Sequence, residues 1–319
     1  MEITATLDRI GQGDRRSLAR AITEIENRSE TGRALATALG DLSLAPRAVG
    51  VTGPPGAGKS SLINALVPQL QLNYPRIGIL TVDPSSPVSG GAVLGDRVRM
   101  AGHSANPDVF IRSLAARGHL GGVTRTTRAV IELLAAGGMD LVIVETVGTG
   151  QSEVEIAQLT DVRLVVCAPG MGDEMQAIKA GVLEIADLLV VNKADLPDAD
   201  RTASFLKSML MHRGHDEQRA LAKVSVTEGT GVGDLAEAIH ARLGRDPQRG
   251  RFASSAKNDP LEALASAVSD LVTASGDPAL ADIAGALVAG SLTETQAARR
   301  ALSLMARNEA SSPPGNREN

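Results

Sequence analysis

The 319-residue chain is nearly without aromatic side chains: it has no Trp, one Tyr and three Phe. Its core therefore has to be built from Ala, Val, Leu and Ile. The shortage also excludes the aromatic stacking platforms on which single-stranded nucleic-acid binders rely. Cysteine is as scarce. Cys167 stands alone, which excludes an internal disulfide and fits a reducing compartment. It lies in the apolar run "RLVVCAPG" and reads as a small buried hydrophobe. There is no long Lys/Arg run, the formal net charge is −5, and the pI is about 5.6, so the basic face of a nucleic-acid binder is missing. No apolar stretch reaches membrane-spanning length. The opening "MEITATLDRIGQGDRR" mixes acids with bases and leads into no apolar region, unlike a signal or transit peptide. The expectation is a cytoplasmic protein with neither a membrane nor a nucleic acid as partner.

What the chain has is a change of pattern near residue 47. Residues 1–46 read as helices. Ile3, Leu7 and Ile10 recur at helical spacing, as do Leu18, Ala21, Ile22 and Ile25, with Asp14 as N-cap of the second stretch. From there to about residue 245, short apolar runs alternate with helical stretches. The runs are Ala48–Thr52, Ile77–Val82, Val109–Ile111, Leu141–Val144, Leu164–Ala168, Leu188–Val191 and Ala222–Val226. Continuous apolar runs suit strands buried on both faces, and strand–helix alternation implies an α/β fold with a mostly parallel central sheet. The polar stretch Gly244–Pro260 reads as a linker. Residues 246–319 then comprise this linker, a helical arm and a polar tail. The arm has stripes at Leu261–Val272 and Ile283–Val288, and a last helix over Ser291–Met305 with Thr293 as its N-cap.

The most specific local signal is Gly53-Pro54-Pro55-Gly56-Ala57-Gly58-Lys59-Ser60, followed by Ser61. It matches G-x-x-x-x-G-K-[ST], follows a strand and opens a helix, as a phosphate-binding P-loop must. Its glycines let the backbone wrap phosphate oxygens with N–H groups turned inward, and the helix N-terminus adds partial positive charge. Lys59 is expected at the β- and γ-phosphates and the Ser60 hydroxyl on Mg²⁺. The loop does not choose a base, but "LLVVNKADL" does. The Asp195 carboxylate can accept two hydrogen bonds, from guanine N1–H and its exocyclic amine, which adenine does not offer. Lys193 is expected along the purine ring and Asn192 as a tie to the phosphate loop. Ser225, Val226 and Thr227, past the next strand, are placed to present backbone N–H groups to the guanine oxygen. GTP or GDP with Mg²⁺ is thus the expected cofactor set. Glu145 and Asp83 each end an apolar strand, where parallel-sheet proteins bind ligands, and with Asp96 they are candidate hard-oxygen ligands for Mg²⁺. Gly148 is placed to meet the γ-phosphate. Asp173, Gln176 and Lys179, in "APGMGDEMQAIKAG", read either as capping and solvated residues or as groups facing nucleotide or partner.

Taken together, "GPPGAGKSSLINAL", "VDPSSPVSGGAVLGDRVRM", "IRSLAARGHLGG", "VETVGTGQSE", "PGMGDEMQAIKAG" and "NKAD" resemble the MeaB/ArgK (MMAA-like) GTPase family. The opening "GDRRSLARAITEIEN" and closing "GSLTETQAARRAL" extend the resemblance over nearly the whole chain. Thr149 departs from the Val of that family's Val-Gly-Val-Gly-Gln-Ser-Glu block. The resemblance implies a P-loop GTPase domain flanked by N- and C-terminal helical extensions, and a homodimer formed through the terminal helices. It implies slow GTP hydrolysis that assists a cobalamin-dependent acyl-CoA mutase, gating adenosylcobalamin delivery and protecting the mutase from inactivation. Lys59, Asp83 and Glu145 are then the catalytic and switch residues, and Asp173, Gln176 and Lys179 a switch that faces the mutase. Two alternatives stand beside it. A metal-insertion GTPase calls for a Cys/His site, against which one cysteine and five dispersed histidines argue. A P-loop small-molecule kinase calls for an acceptor pocket, for which no separate domain is evident.

Overall fold

The structure is a computed structural model. It describes residues 3–42, 44, 46–84, 103, 106–116, 122–146, 159–171, 186–211, 221–244, 268, 272, 277–288 and 291–311. Seven strands form one sheet: β1 (Ala48–Thr52), β2 (Ile77–Pro84), β3 (Val109–Ala116), β4 (Leu141–Thr146), β5 (Val162–Cys167), β6 (Leu188–Val191) and β7 (Leu221–Lys223). Their order is β3-β2-β4-β1-β5-β6-β7, and every pairing is parallel. The fold is therefore the α/β, P-loop type expected. β1 is central, with β4 on one side and β5 on the other. The chain after β1 goes to β2 on one side of it, and the chain after β5 goes to β6 on the other, so the crevice between the C-terminal ends of β1 and β5 is the topological switch point where such sheets bind ligands.

The alternation of buried residues along the strands feeds two faces. Val49, Val51, Ile79 and Ile143 point to one face, covered by α4 (Lys59–Leu70) and by the later helix Val232–Leu243. Ala48, Leu80, Val142 and Val144 point to the other. That second face is covered by α1 (Ile3–Gly11), α2 (Arg15–Glu26), α3 (Glu30–Asp41) and α5 (Gly122–Ala136). The N-terminal helices thus share a core with the sheet. Ile10, Leu18, Ile22, Ile25, Leu35 and Leu39 are all buried. α2 starts where its cap dictates, since the Asp14 side chain accepts from the N–H groups of Arg16 and Ser17. α6 (Ala199–Met211) closes the sheet's far end over Val165, Cys167, Leu189 and Val191. Cys167 is buried, and desolvation pushes its thiol up to about 12. Helix Val232–Leu243 is α7.

Five strands differ from the sequence reading at their ends: β2 runs on to Pro84, β5 starts at Val162 and stops at Cys167, and β3, β4 and β7 differ as follows. β3 runs on past Ile111 to Ala116 because its polar residues find distant partners. Arg112 pairs with Glu26 and Thr23 of α2, and Thr81 donates to Ser113 at 2.9 Å. β4 continues through Glu145 and Thr146, both buried. β7 covers only Leu221–Lys223, where Ala222–Val226 was expected. Ser225 has left the sheet to pair with Thr230 across a turn that contains Gly229 in the left-handed region (φ 71°).

The chain divides into two units, Met1–Ser254 and Ser255–Asn319. In the second, α8 (Pro278–Val288) and α9 (Glu294–Ser311) pack together. Thr293 caps α9: its Oγ1 accepts from Gln296 N–H at 3.3 Å, and Gln296 Oε1 accepts from Thr293 N–H at 3.0 Å, a reciprocal capping box. Among the described residues, no helix is long and apolar enough to cross a membrane.

Candidate nucleotide-binding site

Three segments converge at the C-terminal ends of the central strands. The first is the loop Gly53–Gly58 between β1 and α4. It demands glycine at two points. A Cβ on Gly53 (φ 138°) would meet Val166 O at 2.1 Å, and one on Gly58 (φ 86°) would meet Asn192 Nδ2 at 2.5 Å. Lys59, 7% exposed, is the first residue of α4. Its Nζ donates to Gly53 O at 2.7 Å and Pro54 O at 3.1 Å, so the ammonium is drawn over the loop. Pro55, Gly56 and Ala57 complete the bend, with Gly56 also left-handed at φ 78°.

The second segment is the end of β4. The Ser60 hydroxyl donates to Glu145 Oε1 at 2.8 Å, joining the first turn of α4 to a strand 85 residues later. Both groups are buried. A hydroxyl and a carboxylate side by side are hard oxygen donors, the chemistry Mg²⁺ prefers. Among the described residues there is no cluster of three or more His, Cys, Asp or Glu. The donor set thus fits a divalent cation that takes its remaining ligands from phosphate and water. Next to the pair, Thr146 Oγ1 donates to Thr52 Oγ1 at 2.9 Å, locking the ends of β4 and β1 together. Sequence reading missed this contact, because each Thr alone is an ordinary strand residue. Asp83 lies in β2 near its C-terminal end, in register with Ala115 of β3.

The third segment follows β6. Asn192, 2% exposed, donates from Nδ2 to Ala57 O at 2.9 Å and to Gly58 O at 3.3 Å. Lys193 takes a left-handed backbone (φ 54°) and its Nζ donates to Gly56 O at 2.8 Å. Two consecutive side chains therefore fasten the loop that bears Asp195 to the loop around Lys59. Ser225, fully buried, donates its hydroxyl to Asp195 Oδ1 and accepts from Glu228 N–H at 3.2 Å. Its own N–H donates to Thr230 O at 3.0 Å. The backbone N–H of Ser225, expected to face a base, is thus committed to the turn, and the residue acts through its hydroxyl on Asp195. Val226 and Thr227 follow at the mouth of the same turn, half-buried and exposed respectively. Asp96, Gly148, Thr149, Asp173, Gln176 and Lys179 lie outside the described residues.

The chain's likeness to known proteins agrees with this geometry. Residues 18–277 match the family model for the methylmalonyl Co-A mutase-associated GTPase MeaB. The GTPase ArgK of Escherichia coli is 38% identical over 249 residues, 74% of this chain and 75% of that protein. A mitochondrial methylmalonic aciduria type A homolog of Mus musculus is 37% identical over 244 residues, 70% of this chain and 59% of that protein. A relative from Pyrococcus abyssi is 48% identical over 200 residues, and the chain spans 62% of that relative's length. Among solved structures, the crystal structure of an LAO/AO transport system kinase matches with a TM-score of 0.63 and 26% identity, covering 95% of this chain and 97% of that one.

Proposed function

Because the chain belongs to the methylmalonyl Co-A mutase-associated GTPase family MeaB, we propose that it hydrolyses GTP to GDP and phosphate as a timing signal for a cobalamin-dependent acyl-CoA mutase. In this reading hydrolysis gates adenosylcobalamin delivery and protects the mutase from inactivation. The observation that carries the nucleotide part of this reading is the double tie between the base-reading and phosphate loops through Asn192 and Lys193, and the mutase as client rests on the family. Such a tie holds the base-reading loop in place over the phosphate loop, as one nucleotide spanning both would require. Asp195, held by Ser225, would select guanine, with the N–H groups of Val226 and Thr227 facing the base oxygen. The backbone N–H groups of the non-proline residues in 53–61 and the Lys59 ammonium would take the phosphates, with Pro54 and Pro55 shaping the bend, and Ser60 and Glu145 would hold Mg²⁺. Bound there, the ion would neutralise charge on the β- and γ-phosphate oxygens. Asp83 and Asp96 are further metal or switch acids, Gly148 a γ-phosphate donor, and Asp173, Gln176 and Lys179 a surface for the mutase.

The same reading makes the protein a cytoplasmic homodimer joined through its terminal helices. The test is GTP turnover by the pure protein with and without the mutase of its own organism. Slow turnover that the mutase accelerates several-fold, abolished in Lys59→Ala, is the expected result. An unchanged rate and affinity would remove the client. Phosphoryl transfer to an acceptor in preference to water would instead favour a kinase.

A further inference from the structure

The parallel ladder between β1 and β4 runs as far as Val51, which stands opposite Glu145. On their outer sides both strands stay paired one residue longer, Thr52 with Val165 of β5 and Thr146 with Val82 of β2. At that rung β1 and β4 are joined through side chains, with Thr146 Oγ1 donating to Thr52 Oγ1 at 2.9 Å. Both threonines are buried. They follow the phase of Ala48, Val142 and Val144, so they point to the face that carries the N-terminal helices. Val51 and Glu145 follow the opposite phase, and there Glu145 meets Ser60 of α4. Two polar contacts therefore grip the end of β4 on opposite faces, one residue apart. Each threonine also adjoins a part of the site in sequence: Gly53 follows Thr52, and Glu145 precedes Thr146.

We propose that Thr52 and Thr146 are positioning residues whose hydroxyl contact sets the place of the Glu145 carboxylate relative to the phosphate loop. This rests on the reading of Ser60 and Glu145 as a metal pair given above. The Ser60–Glu145 hydrogen bond cannot do the task alone, because a cation held by both oxygens would take its place. The threonine contact uses neither oxygen and survives that exchange. Being buried, it is also spared the competition from water that loosens a surface hydroxyl. Without it the end of β4 can part from β1 beyond the last ladder pair, and Glu145 shifts with it. Pairing with β5 meanwhile keeps Thr52 and the start of the phosphate loop in place. The defect is therefore selective: weaker use of the metal, with nucleotide binding retained.

The full-length protein tests this with Thr52→Val, Thr146→Val, the two combined, Thr146→Ser and Ser113→Ala. Valine keeps the shape and removes the hydroxyl. The combined variant leaves neither hydroxyl without its partner, so its melting temperature should return towards that of the wild type. Ser113→Ala breaks another hydroxyl pair of the sheet, Thr81 to Ser113 at 2.9 Å between β2 and β3, and serves as a control for lost stability. The readouts are melting temperature, the Mg²⁺ concentration at half-maximal GTP hydrolysis, GDP affinity in EDTA, and deuterium uptake over 141–146 in the nucleotide-free protein. Loss of one hydrogen bond predicts a Mg²⁺ requirement raised roughly three- to tenfold in both single valine variants and in the combined one, with faster uptake. Thr146→Ser and Ser113→Ala should keep the wild-type requirement, and GDP affinity in EDTA should not change. A requirement that recovers with melting temperature in the combined variant, or rises as much in Ser113→Ala, would make the pair a packing contact and overturn the proposal. So would a GDP affinity that falls in step with the metal requirement. Failure of the nucleotide reading looks different: the wild type would not hydrolyse GTP. Uptake over 141–146 then decides alone, faster exchange in Thr146→Val supporting the positioning contact and unchanged exchange overturning it.

Discussion

Asp195 and Ser225 make the case at the scale of single residues. Asp195 is exposed, and an exposed carboxylate on a turn would sample many rotamers. The buried Ser225 hydroxyl fixes one of its oxygens. A hydrogen bond to a charged group contributes about 1.5 kcal/mol or more, so Ser225→Ala should weaken GDP binding roughly tenfold. Titration with a fluorescent GDP analogue checks this, and the preference for guanosine over inosine nucleotides should shrink with it, since inosine lacks the exocyclic amine. Lys59, Ser60, Asn192 and Asp195 could be singled out from spacing because each belongs to a run of consecutive residues whose geometry is local. The hydroxyl contact of Ser225 could not, because it depends on a turn that carries the residue out of the strand.

Elements show why the loops tolerate so little change. Gly56 and Gly58 both have left-handed backbones, and an alanine at either costs about 1–2 kcal/mol in conformation alone. A Cβ at Gly56 meets nothing within 4 Å, whereas one at Gly58 collides with Asn192 Nδ2. Gly58→Ala should therefore destabilise the fold more than Gly56→Ala and uncouple the two loops. Melting temperatures and GDP affinities of the two variants, measured side by side, give the comparison. Caps were legible because they are written in short local spacings, as at Asp14 and Thr293. The reach of β3 and the early end of β7 were not. One is extended by Arg112 finding Glu26 on another element, and the other is cut short by the Ser225–Thr230 pairing.

At the scale of the whole unit, the sheet has two chemically different ends. The nucleotide loops crowd the C-terminal ends of the strands. At the opposite end, Asp161 joins β1 to β5: its carboxylate accepts from Ala48 N–H at 2.8 Å, while its own N–H donates to Ala48 O at 2.8 Å. Burial raises its carboxyl from 3.8 to about 6, against the lowering effect of the Ala48 amide and of Arg47 and Arg163; Asp187 adds to the rise. A carboxyl with a raised folded-state value favours the fold fully below the unfolded value of 3.8, and that contribution is lost as pH climbs through about 6. Asp161→Asn keeps an oxygen acceptor for Ala48 and cannot ionise. Relative to this variant, the wild type should lose stability on the order of 2 kcal/mol between pH 4 and pH 7. Urea midpoints of both proteins across that range provide the measurement.

The α/β class, the parallel sheet and the two loop motifs were determined by the sequence alone, since burial on both faces and phosphate-loop geometry impose patterns on neighbouring residues. Tertiary structure decided what spacing does not encode. It set Glu145 against Ser60 across 85 residues. It fastened Lys193 to the phosphate loop beside the Asn192 tie that the motif had predicted, and gave the N-terminal helices and the sheet a common core. These outcomes follow from the order of strands in the sheet, and that order is chosen by the mutual burial of all the apolar faces, which no single segment contains.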